Sequence, residues 1–158
     1  MGEKHHLNMA EIAVVCQATR VIENRLRRAS GELIAIHCDL SQSNLLLTDS
    51  GLAPIDFSLC GFGHPMHDLG ILIGNVSSMA ERKAIAEGYT AAGGRIDLPL
   101  LDAGYTLGLL EAIDFHADVW PKEAWFAPRL TRWVNEQLCP LAEGNPLLNE
   151  DMYLLNLK

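Results

Sequence analysis

The sequence predicts a mainly helical chain carrying one small β-hairpin, an α+β arrangement, and three observations carry that expectation. Apolar residues recur at helical spacing through most of its length. Two short apolar runs, Leu45-Leu46-Leu47-Thr48 and Leu52-Ala53-Pro54-Ile55, flank Asp49-Ser50-Gly51, which reads as a glycine-bearing turn. The composition, 49% hydrophobic and 20% charged over 158 residues, is globular and fits one domain over residues 1–158. A chain of that length buries about 68–70% of its unfolded surface, enough for a single core.

The first helix is expected from Asn8 to about Ala29. Ile12, Val15, Cys16, Ile22 and Leu26 keep the spacing, and Arg25, Arg27 and Arg28 place cations at the negative end of the helix dipole. After the hairpin, Met66 to Asn75 is apolar enough for a helix buried on most faces. Ser78-Met79-Ala80-Glu81 has the pattern of a capping box and opens a helix to Ala92, which Gly93-Gly94 stops. Pro99, a favoured first-turn residue, starts a helix to about Asp118 that Trp120-Pro121 breaks. Pro128 opens the last clear helix, with Leu130, Trp133, Val134 and Leu138 on one stripe, and Pro140 ends it. From Asn145 to Lys158 no period is visible, so a loop with a short helix is expected.

Several function classes are disfavoured. A net charge of −8 argues against nucleic acid, which is bound through a basic face. No apolar run approaches the ~18 residues of a membrane span, and the start of the chain lacks the apolar core of a signal peptide. Cys16, Cys38, Cys60 and Cys139 are scattered without a C-x-x-C pair, so neither a zinc site nor a disulfide framework is indicated. Buried thiols in a reducing compartment, and hence a cytoplasmic location, are expected. His5-His6 has no partners in the pattern.

The chemistry is concentrated in His37-Cys38-Asp39-Leu40-Ser41-Gln42-Ser43-Asn44, followed by Ile55-Asp56-Phe57. This H-x-D-x-x-x-x-N spacing sets a carboxylate and a carboxamide on one loop, and the hairpin returns a second carboxylate beside them. Phosphoryl transfer to a hydroxyl needs such a set: a group to orient or deprotonate the acceptor, and hard oxygens for the Mg²⁺ of the nucleotide. A further acidic residue, Asp68, stands in Gly63-His64-Pro65-Met66-His67-Asp68-Leu69-Gly70.

From about Leu33 to Gly70 the chain resembles the aminoglycoside phosphotransferase and choline kinase group of protein-kinase-like small-molecule kinases. The resemblance implies the helical C-terminal lobe of a protein-kinase-like fold, with a catalytic loop over 37–44 and a metal-binding segment over 55–58. It implies that Asp39 is the catalytic aspartate, that Asn44 and Asp56 hold Mg²⁺, and that ATP or GTP is the phosphoryl donor. His37 would be structural, and Asp68 would brace the loop by accepting backbone hydrogen bonds from the helix after it. Cys38 departs from the family's glycine and Ser41-Gln42-Ser43 from its usual His-Pro-Gly, changes that touch loop shape rather than ligands. No glycine-rich phosphate loop or strand lysine is present, and only 36 residues precede His37. A β-rich nucleotide-clamping lobe needs on the order of 80 to 100 residues, so that lobe is expected to be absent here. It would come from a separate chain or a missing upstream segment.

Other residues have weaker claims. Glu111, Asp114 and Asp118 fall at i, i+3 and i+7 of one helix, where relatives hold cationic acceptors, although a solvated helix face has the same spacing. His64 and His67 lack further ligands at zinc spacing and read as structural. Trp120, Trp125, Phe126 and Trp133 read as core and interface residues. Two functions stay open: a Mg²⁺- and ATP-dependent phosphotransferase acting on a small-molecule hydroxyl, with poor activity from the lobe alone, or a non-catalytic binding or interaction module. A homodimer is expected under both, because a missing lobe leaves apolar surface uncovered.

Overall fold

The computed structural model describes residues 7–31 and 33–148. Helix α1 (Met9–Arg28) starts at a reciprocal capping box. Asn8 Oδ1 accepts from the Glu11 amide at 3.0 Å, and Glu11 Oε2 accepts from the Asn8 amide at 2.8 Å. Its buried stripe runs through Ala18 and Ile22, with Val15 and Leu26 beside them, whereas Ile12 and Cys16 face outward. The stripe is thus rotated from the expected one because Ala18, completely buried at its centre, is too small to register as a hydrophobic signal. The helix packs on α4 (Leu98–Phe115) and α6 (Cys139–Glu143).

Two antiparallel ribbons come next. Strand β1 (Ile34–Ile36) pairs with β4 (Gly61–Gly63), and β2 (Leu45–Thr48) with β3 (Gly51–Pro54). The second pair is the expected hairpin, but Gly51 pairs with Thr48, so the turn is the two residues Asp49-Ser50. Gly51 has φ +119°, a conformation that side chains other than glycine's rarely adopt. The first ribbon is outside the sequence expectation, since its strands are three residues each and one of them is mostly glycine.

Helices α2 (Met66–Gly74), α3 (Met79–Ala91) and α4 (Leu98–Phe115) form one half of the core, with Met66, Leu69, Ile73, Ala86 and Leu101 buried together. Ala18 and Ile22 join Ala103, Val134, Leu138 and Leu141 in the other half. Helix α4 contributes to both halves, and α2 crosses it with backbones almost touching. A methyl on Gly70 would lie 2.6 Å from the Leu101 carbonyl oxygen, and one on Gly104 would lie 2.3 Å from that of Met66. Glycines repeat at i, i+4 on both helices, Gly70 with Gly74 and Gly104 with Gly108, which keeps this approach open along a full turn.

Two boundaries differ from the sequence expectation. Helix α4 stops at Phe115 because the His116 carbonyl accepts from both Val119 (2.9 Å) and Trp120 (3.0 Å), turning the chain before Asp118. Pro140 does not end the last helix. Helix α5 (Phe126–Trp133) runs through a π turn at Val134–Leu138 into α6 (Cys139–Glu143), with Pro140 in that helix's first turn. The widened turn gives the ring room, and a first-turn residue needs no amide hydrogen. Gly144, at φ +82°, is the actual stop. Beyond it, buried Asp102 accepts the Leu147 and Leu148 amides at 3.3 and 3.2 Å and ties the chain to α4. No helix forms over 145–148, and the rest of the expected tail helix lies outside the described residues. No helix among the described residues is long and apolar enough to cross a membrane.

Candidate active site

Strand β1 delivers the chain to His37, and a side chain from the first turn of α2 fixes the loop beyond it. The Asp68 carboxylate accepts the His37 amide at 2.6 Å and the Cys38 amide at 2.8 Å. The donors are the loop's own amides and not those of α2, so the bracing runs from helix to loop, opposite to the expected direction. The support comes from α2, while α1 packs on α4 and α6.

His37 is buried and its ring spans the site. Its Nε2 donates to the Ile55 carbonyl at 2.7 Å, while Nδ1 accepts the Asp39 amide at 3.3 Å, so the partners place the proton on Nε2. One imidazole thereby holds the loop to the end of the hairpin, with Phe57 tilted against it at 4.7 Å between centroids.

Asn44 closes the loop on itself. Its amide nitrogen donates to the Asp39 carbonyl at 2.9 Å and to Asp39 Oδ2 at 2.8 Å. With both amide hydrogens directed at Asp39, Asn44 Oδ1 faces outward as a hard oxygen donor. The Ile55 amide donates to the Asn44 carbonyl at 2.9 Å and Leu45 pairs with Pro54, so the hairpin brings Asp56 next to Asn44. Asp56 sits in the left-handed region (φ 59°, ψ 68°) and its Oδ1 accepts the Ser58 amide. Hydrogen bonds from the Ser58 side chain and then its backbone hold the Asp56 carboxyl below the ordinary 3.8.

Cys38 adopts φ 66° even though it is not glycine. The loop therefore keeps the left-handed shape at a strain of roughly 1–2 kcal/mol per such residue. Burial, and then the charges of Asp68 and Glu111, push the Cys38 thiol up from 9.0.

A cleft of about 940 Å³ opens beside Cys38 and Asp39, walled by α4, α5 and the chain after α2. Glu111 and Asp114 line it, but Asp118, beyond the end of α4 and exposed, does not. The proposed acidic stripe shortens to two residues because the helix ends early. Glu111 Oε2 lies 2.9 Å from buried His67 Nε2, within ion-pair distance but off the N–H axis, so the contact is no hydrogen bond. His64 Nδ1 accepts the Met66 amide at 3.2 Å, which leaves the two histidines in separate structural contacts.

The four aromatic residues divide. Phe126 is buried, but Trp120 and Trp133, 6.1 Å apart between centroids, face the cleft as a stacking wall, where the sequence pattern suggests core. The chain's fold-back after Phe115 puts Trp120 there, with His116 stacked on it at 4.4 Å. Arg82 and Tyr105 also line the cleft and have no sequence signal. The expected burial of the cysteines fails: Cys16 and Cys60 are exposed and the other two half-buried, and all four are free.

The oxygens present suit Mg²⁺, which keeps several waters and takes one or two protein oxygens together with phosphate oxygens. Asn44 Oδ1 and the Asp56 carboxylate are two such donors on adjoining backbone. No group of three or more His, Cys, Asp or Glu side chains that would cage a metal forms among the described residues.

Among solved structures, the chain is similar to the amicoumacin kinase hAmiN in complex with AMP-PNP, Ca²⁺ and Ami, at 18% identity and a TM-score of 0.63. The match covers 98% of this chain and 53% of that one, so the chain spans about half the length of that kinase and shares a partial kinase-like fold with it. No curated protein matches the chain. The model of the phosphotransferase enzyme family matches residues 5–107, which include the loop, both ribbons, α2, α3 and the first half of α4. The chain belongs to the phosphotransferase enzyme family, of the aminoglycoside phosphotransferase-like kind.

Proposed function

We propose that the chain carries the acceptor and metal side of an ATP- and Mg²⁺-dependent transfer of a phosphoryl group to the hydroxyl of a small molecule. The observation that carries this reading is the Asp39–Asn44 clamp, with the hairpin setting Asp56 beside it. Asn44 fixes one oxygen of Asp39 and leaves the other to face a hydroxyl in the cleft. The acceptor oxygen bonds to the γ-phosphorus as the bond to the bridging oxygen of ADP breaks, and the hydroxyl proton passes to the Asp39 carboxylate. Asn44 and Asp56 would hold the metal, which supplies neutralisation of charge on the phosphate oxygens.

A nucleotide-clamping lobe from another segment or chain completes the site. The ribbon face supports this: Leu33, Leu47, Leu52 and Phe62 are each more than 60% exposed, far beyond what an isolated surface favours. A second cavity of about 300 Å³ between the end of α1 and the first ribbon, lined by Leu26, Ile36 and Phe62, gives that lobe a seat.

Calorimetric titration of Mg·ATP into the chain tests the reading. Saturable heat is expected, weakened at least about tenfold by Asp56→Asn, which keeps the Ser58 hydrogen bond and removes the charge. Absence of heat from the unsubstituted chain contradicts nucleotide binding and favours the binding-module function.

A further inference from the structure

We propose that the acceptor also carries a carboxylate, seated on Arg82 and Tyr105 at the end of the cleft away from Asp39. This rests on the reading of the cleft as the acceptor pocket and names the class of molecule it takes. Arg82 is half-buried, its Nε donates to the Val76 carbonyl at 2.9 Å, and it forms no salt bridge among the described residues. A partly desolvated cation without a counter-charge is uncommon, because burial penalises an unpaired charge. Fixing Nε orients the guanidinium plane and leaves both terminal amino groups uncommitted. That is the planar fork which matches a carboxylate.

Tyr105 adds a donor. Its hydroxyl oxygen already accepts from Gln137 Nε2 at 2.9 Å, so the phenol hydrogen is directed elsewhere. Arg82 lies within electrostatic reach of this ring. Arg129 and Arg132 line the same cleft, but Arg132 is paired with Glu136 and Arg129 lies over the Trp133 ring, so at this corner one uncommitted cation and one hydroxyl balance a single negative charge. A phosphate dianion buried at this depth calls for more than one cation.

The corner is separated from the catalytic carboxylate by the length of α2. Asp68, near its start, holds the loop that bears Asp39, while Tyr105 packs on Gly74 at its end and Arg82 holds Val76 beyond. Six residues of helix, Asp68 to Gly74, span about 9 Å. Glu111, beside His67 at the start of α2, and Asp114 add acidic groups to the lining of the same cleft, and Trp120 and Trp133 add aromatic ones. The molecule that fits is a zwitterion: a hydroxyl at Asp39, a protonated amine at Glu111 and Asp114, and a carboxylate at Arg82.

A dipeptide pair tests the assignment without nucleotide. Tyrosylserine has the hydroxyl, amine, ring and carboxylate, and tyrosylserinamide lacks only the carboxylate. Binding of each is followed by NMR shifts of the chain. The free acid is expected to bind at least about tenfold more tightly than the amide, with shifts at Arg82 and Tyr105. The preference should shrink to about twofold or less in Arg82→Met, and should weaken in Tyr105→Phe, which keeps the ring's packing. Equal binding of acid and amide, or no saturable binding of either to the folded chain, overturns the carboxylate seat. Inorganic phosphate that displaces the acid more strongly than acetate does also overturns it. Preference for the acid in a chain that binds no Mg·ATP would leave this seat standing while the phosphotransfer reading fails. Mg·ATP binding without the preference would do the reverse.

Discussion

The helical body and the ribbon face are built on opposite terms. In the body, α2 and α4 approach until glycine backbones touch, and apolar side chains of α1, α4 and α6 close around them. On the ribbon face almost nothing apolar is covered: Leu47 is 84% and Phe62 82% exposed. Order there comes from a handful of polar clamps, namely Asp68 on two loop amides, His37 on Ile55 and Asn44 on Asp39. The body is stabilised by packing and tolerates no added volume at the α2–α4 crossing; the face is shaped by hydrogen bonds and leaves its apolar side exposed. The difference teaches how each region keeps its shape: buried volume fixes the body, and hydrogen bonds between polar groups fix the loop and hairpin of the candidate site.

Substitutions separate the two regimes. The largest effect is expected from Gly104→Ala, whose methyl meets the Met66 carbonyl: a loss of about 3 kcal/mol or more in urea unfolding, since neither backbone can yield cheaply. Asp68→Ala should act more locally. Removing the acceptor of two part-buried amides costs roughly 1.5–3 kcal/mol, and hydrogen exchange should accelerate at His37 and Cys38 much more than in α4. Equal acceleration throughout would show that face and body unfold together and would break the distinction. Smaller still is the alkaline limb. Burial holds the protons of Cys38 and Tyr105 above 9.0 and 10.0 respectively, so their share of stability is intact below pH 9 and is lost as pH rises through the folded values. A melting temperature flat up to pH 9 and falling above it is expected. The smallest effect is expected at Cys38→Gly. Relief of the left-handed strain at φ 66° is offset by glycine's larger unfolded-state entropy, leaving a change within about 1 kcal/mol.

The sequence carries the body's elements better than its contacts. Five helices are legible because period and end signals agree, as Asn8 and Ser78 each show by accepting an amide three residues on. The α2–α4 crossing is present in the sequence as glycines four apart on each helix, a signal weaker than any hydrophobic stripe. The hairpin is legible from its apolar runs, but the first ribbon is not, since three-residue strands distant in sequence leave no local trace. At the site, the spacing of His37, Asp39, Asn44 and Asp56 points to one loop and one returning strand. Arg82 and Tyr105 are invisible because their place in one cleft depends on how α3 and α4 each pack on α2, and Asp118 is misjudged because the turn closed on the His116 carbonyl ends α4 early.

The central claim is that Asn44 and Asp56 form a metal–nucleotide seat at the junction of loop and hairpin. The measurement that tests it most directly is amide broadening by Mn²⁺ in the presence of ATP, with Mn²⁺ standing in for Mg²⁺. Broadening centred on Asn44 and on residues 56–58, absent from α5 and abolished by Asp56→Asn, is the predicted result. Broadening centred elsewhere, or unchanged by that substitution, would contradict the seat.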